Sequence, residues 1–136
     1  MFATLFFGIL NPVTGDIAYI NGGHEPLFII GRSGIKETLN AAGPVVGIIT
    51  GAEFKIQQSQ LEPGDILIGY TDGVTEALSP RQTLYSKEKF RALLEPQASS
   101  ATELIERIQT DLFLHIDNAP QFDDITMIAV HRKPKQ

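Results

Sequence analysis

The chain of 136 residues is the size of one ordinary domain, expected to span residues 1 to 136, and can bury roughly two thirds of the surface its unfolded form exposes. Its net charge is −5 and its eleven basic residues gather into no stripe, which argues against a nucleic acid or a membrane surface as partner. With no cysteine, disulfides and thiolate metal sites are excluded and the redox compartment is left unread.

In chain order, "MFATLFFGIL" is apolar but only about ten residues long, lacks basic residues of its own and runs into Asn-Pro, so it is expected to be neither a signal peptide nor a membrane span. It reads as a central strand over 2 to 10 that begins at the first residue, as in a domain divided through its middle. A cytoplasmic chain is the expectation. "NPVTGD" then predicts a hairpin turn into a strand over 17 to 20, because Pro12 presets a turn and Gly15 tolerates positive φ. "PLFII" and "IKETL" flank "GRSG" in the same manner. Residues 44 to 49, 53 to 61 and 65 to 71 read as further strands, with "EPGD" turning between the last two.

The period changes after residue 85. Phe90, Leu93 and Leu94 share a helical face behind Ser86 as N-cap, and Ser100 with Glu103 forms a capping-box pattern. Leu104, Ile105, Ile108, Leu112 and Ile116 then predict one amphipathic helix over 101 to 116. "ITMIAVHR" is apolar at nearly every position, which predicts a last strand buried on both faces. Strands first, helices next and a strand last indicate an α+β fold, a layered β-sandwich of antiparallel sheets with flanking helices.

Acidic groups mark two strand ends. Asp72 and Glu76 follow "ILIGYT", and Asp123 and Asp124 precede "ITMIAV". If these strands are neighbours, their carboxylates converge, which is tolerable only with protonation or a bound cation, and all-oxygen ligands favour Mg²⁺ or Mn²⁺. Each motif taken alone also suits a turn or a solvated loop. The haloacid-dehalogenase signature fails, because Tyr70 stands where its nucleophilic Asp belongs. In "NGGHEP", Asn21 with the two glycines suits a tight bend, and His24 is a ligand, a base or a plain loop residue. His115 and His131 read as surface residues.

Taken together and in this order, "MFATLFFGILNPVTGDIAYINGGHEPLFI", "LIGYTDGVTEA" and "FDDITMIAV" resemble the metal-dependent (PPM) protein phosphatases. The likeness is to the bacterial branch of sporulation stage II protein E and the sigma-factor-regulating phosphatases, and it covers essentially the whole chain. It implies two packed antiparallel sheets with helices outside, and a binuclear Mg²⁺ or Mn²⁺ centre that activates water against phosphoserine or phosphothreonine. It implies metal ligation by Asp72 and Asp123, with Glu76 near an additional metal. Gly73, Asp124, Thr126, Asn21 and His24 fall in the surrounding shell or the substrate loop.

The family's N-terminal motifs, which supply a bridging aspartate, have no counterpart here, since Asp16 is the only aspartate in residues 1 to 60. The chain therefore reads as the C-terminal portion of such a domain, expected to hold at most one ion weakly and to be inactive or nearly so by itself. The implied partner is a phosphoprotein such as an anti-sigma-factor antagonist. Exposed strand edges predict a homodimer. The competing readings are a phosphatase-like binding module without catalysis, and acids that only form turns.

Overall fold

The structure, a computed structural model, describes residues 3–42, 51, 53–121 and 123–134. Its elements in order are β1 (Leu5–Leu10), β2 (Asp16–Gly22), β3 (Leu27–Gly31), β4 (Gly34–Leu39), β5 (Gln57–Gln60), β6 (Ile66–Tyr70), α1 (Asp72–Thr75), α2 (Lys87–Ala92), α3 (Ala101–Ile116) and β7 (Met127–His131). One sheet has the order β1-β2-β5 and the other β4-β3-β6-β7, with every pairing antiparallel. The expected α+β sandwich is thus present.

Strand parity builds the layers. Successive side chains of a strand point to opposite faces. In β3, Phe28 and Ile30 enter a core made with the helices, whereas Leu27 and Ile29 enter a second core between the sheets. β6 divides likewise: Ile66, Ile68 and Tyr70 face the helical layer, and Leu67 packs into the inter-sheet core beside Ile17, Tyr19, Leu39 and Leu61. Both strands are therefore buried on two faces, which is why they read as unbroken apolar runs.

The helices close the first core. Ser86 accepts from the Lys89 N–H at 3.3 Å and starts α2, which buries Phe90. Ser100 accepts from the Glu103 N–H at 3.0 Å and starts α3. The returning Glu103 carboxylate takes the Ser99 N–H at 2.7 Å, one residue earlier than a regular capping box would use. Leu104, Ile108, Leu112 and Ile116, four residues apart, form the buried stripe of α3. At the far end of the sheets the Arg132 guanidinium donates to the carbonyls of Val13, Thr14 and Leu61 at 2.7 to 2.9 Å, joining the end of β7 to the β1–β2 turn and to the residue after β5 in the other sheet.

Three expectations change. The first strand is an edge, not a central strand: Phe7 is 56% and Ile9 65% exposed, and among the described residues β1 pairs with β2 alone. β7 is also an edge, with Ile128 62% exposed, so it is covered by α3 on one face and left partly open on the other. The strand over 53 to 61 shrinks to β5, since its ladder with β2 stops at Tyr19 opposite Gln57. The strand over 44 to 49 lies outside the described residues. Among the described residues no helix is long and apolar enough to cross a membrane.

Candidate metal centre

β6 and β7 are neighbours, and Tyr70 pairs with Met127. The end of one strand and the start of the other therefore meet at one edge of the sheet, with Asp72 just after the first and Asp123 and Asp124 just before the second. Tyr70 anchors this end. Its ring stacks on Phe28 and leans on Phe90, with centroids 6.1 and 4.3 Å away, and burial, helped by the charge of Glu25, pushes its pKa up to about 12. The phenol is therefore neutral at ordinary pH.

Beyond Tyr70 the chain makes one helical turn where the sequence suggested a simple Asp-Gly turn. The Val74 N–H donates to the Thr71 carbonyl at 3.0 Å and the Glu76 N–H to that of Asp72 at 2.8 Å. Gly73 is buried in this turn, and a Cβ there would stand 2.0 Å from the Asp124 carbonyl oxygen. The glycine is required by this close approach of two backbones and not by positive φ, since Gly73 is absent from the residues in that region.

Glu76 and Asp123 line one cleft of about 310 Å³, together with Gly73, Leu78, Ile116 and Gln121. No basic residue lines it among the described residues, so the two carboxylates meet no protein cation there. The Asp123 Oδ1 accepts the Asp124 N–H at 2.8 Å, and Gln121 donates to the Asp123 carbonyl at 3.0 Å, which fixes the loop and leaves the second carboxylate oxygen of Asp123 free of that bond.

The other expected site residues are distributed around this pair. Asp72 is exposed on the α1 turn but does not line the cleft. Asp124 presents its backbone carbonyl to Thr71, and the Thr126 carbonyl accepts the Thr71 N–H at 3.0 Å. Asn21 is fully buried and structural, donating to the Leu39 carbonyl at 3.2 Å and accepting the His24 N–H at 2.9 Å. His24 Nδ1 donates to the Glu25 carbonyl at 2.8 Å, and its ring lines a different cavity, an apolar groove of about 490 Å³ between β1 and β7. His115 is half-buried, its Nε2 donating to the Thr83 carbonyl at 2.9 Å, and His131 is likewise half-buried.

A set of carboxylate oxygens facing no basic group fits a hard divalent cation such as Mg²⁺ or Mn²⁺ in kind. In number it is incomplete: among the described residues no group of three or more His, Asp and Glu is close enough to hold an ion. One contributor escaped the sequence reading. Thr71 ties both segments together, and the only signal was a hydroxyl residue immediately before Asp-Gly at a strand end.

Residues 1–133 match the family model of stage II sporulation protein E (SpoIIE). The chain is 47% identical over 132 residues to protein IcfG of Synechocystis sp., covering 97% of this chain and 21% of that protein. It is 31% identical over 134 residues to phosphoserine phosphatase RsbU of Bacillus subtilis, covering 98% of this chain and 40% of that protein. The chain thus spans well under half the length of these relatives. The phosphatase domain of the cell fate determinant SpoIIE from Bacillus subtilis, presoaked with Mn, superposes with a TM-score of 0.71 at 19% identity, over 98% of this chain and 58% of that one.

Proposed function

Because the chain belongs to the stage II sporulation protein E (SpoIIE) family, we propose that it forms part of a metal-dependent phosphatase domain that removes phosphate from serine or threonine of a regulatory protein, such as an anti-sigma-factor antagonist. One observation carries this reading: Glu76 and Asp123, from segments 47 positions apart in sequence, line a single cleft that contains no basic residue among those described. Asp123 and Glu76 would hold the cation with water completing its shell, and Asp72, the third proposed ligand, would reach it only through such a water because it stands outside the cleft. When bound, Mg²⁺ or Mn²⁺ supplies an activated water and screens the phosphoryl charge. The chain's own part is to hold these carboxylates together and to shape the cleft through Gly73 and Gln121.

A second reading, a phosphoprotein-binding module without catalysis, is favoured by the same cleft having only two of the three proposed ligands in its lining. On either reading the chain by itself binds one ion weakly and hydrolyses little. Calorimetric titration with Mn²⁺ should give a saturable heat that Asp123→Asn reduces by at least tenfold in affinity. A wild-type chain that releases no heat would sink the metal centre and leave the acids as turn formers. Turnover of p-nitrophenyl phosphate with Mn²⁺, abolished by Asp72→Asn, would overturn the expectation of near inactivity.

The proposal includes self-association through the open edges. β1 carries no charge on either face, and Ile128 of β7 borders the same apolar groove, so a second copy can cover both without bringing like charges together.

A further inference from the structure

The hydroxyl of Thr71 is not used as a helix cap. Thr71 occupies the N-cap of α1 with extended backbone, φ −97° and ψ 162°, where a threonine oxygen ordinarily accepts an N–H of the first helical turn. It accepts none. Its Oγ1 instead donates to the Asp124 carbonyl and accepts the Thr126 N–H, each at 3.2 Å, while its own N–H donates to the Thr126 carbonyl at 3.0 Å. One residue thus makes three bonds to the segment entering β7, one step past the last strand pair, Tyr70 with Met127.

Asp123 and Asp124 are both exposed, and next to them Ile125 is partly buried against the core that contains Val74 of α1, so the two acidic residues themselves have no burial to hold them in place. The close packing of Gly73 on the Asp124 carbonyl shows how near the two backbones run, and that same carbonyl receives the Thr71 hydroxyl. We propose that Thr71 is a positioning residue for the acidic cleft, its hydroxyl clasping residues 124 to 126 so that Asp123 and Glu76 open onto one space. The inference rests on the metal reading of the cleft given above. A hydroxyl that merely extended the sheet would affect melting and nothing else.

The test uses the full chain with Thr71→Val, which keeps the branched shape and removes the donor and acceptor, and Thr71→Ser, which keeps the hydroxyl. Mn²⁺ alone is titrated, and paramagnetic broadening of backbone NMR signals is followed at Glu76 and Ala77 and at Asp123 to Ile125. In wild type both segments should broaden together. In the Val variant about tenfold more Mn²⁺ should be needed and the second segment should lag, with the Ser variant restoring the joint response. Wild-type broadening at both segments in the Val variant, even with a lowered melting midpoint, would overturn the proposal.

If neither segment broadens in wild type, the metal reading itself has failed. The clasp is then decided by solvent exchange of the Thr126 amide, where a tenfold acceleration in the Val variant, reversed by Ser, upholds it and an unchanged rate overturns it. Thr71→Ala supplies the same comparisons should the Val variant not fold.

Discussion

Gly73 shows how a single position is governed by its neighbour's backbone. Replacing it with alanine drives a methyl into the Asp124 carbonyl, and because the obstacle is main chain, no side-chain rotation relieves it. Gly73→Ala is expected to cost about 1–3 kcal/mol, typical of overpacking, and to weaken Mn²⁺ binding by moving the Asp123 loop; urea unfolding and calorimetry measure the two effects. At this scale the sequence was legible as a set of letters. "TDG" and "DD" at strand ends identify where acids gather, but which carboxylate enters the cleft depends on the phase of one helical turn. That phase places Glu76 in the lining and leaves Asp72 outside it. The role of Asn21 was hidden for a similar reason, since its bond to the Leu39 carbonyl spans two strands that local sequence does not connect.

Among the elements, α3 was the most legible, because an amphipathic stripe with period 3.6 has one interpretation. Leu104 is fully buried on that stripe, whereas Leu114 on the same helix is 75% exposed. Leu104→Ala should destabilise the fold by about 2–5 kcal/mol and Leu114→Ala by less than about 0.5 kcal/mol, read as separate shifts in the urea midpoint. The strands were less legible. Runs such as "LFFGIL" and "MIAV" signal apolar surroundings on both sides, and β3 and β6 meet that description because a sheet and a helical layer enclose them. β1 and β7 carry the same signal at sheet edges. Position within a sheet is a property of pairing, and a strand's own residues do not encode it.

For the whole molecule, the β1 and β7 edges flank one apolar groove, and sedimentation velocity should find the chain self-associated at micromolar concentration. Phe7→Lys together with Ile128→Lys puts charge on both exposed edges and should yield a monomer; a wild-type chain that sediments as a monomer across that range contradicts the association.

The two-sided burial of β6 also bears on chemistry at its end. Sliding this strand by one residue would hand Leu67 and Gly69 to the helices and press Ile66, Ile68 and Tyr70 between the sheets, spoiling two fillings at once. Such a slip would equally carry Thr71 away from Thr126. The address of the acidic pocket is thus written upstream of it, in five residues that form no part of its lining.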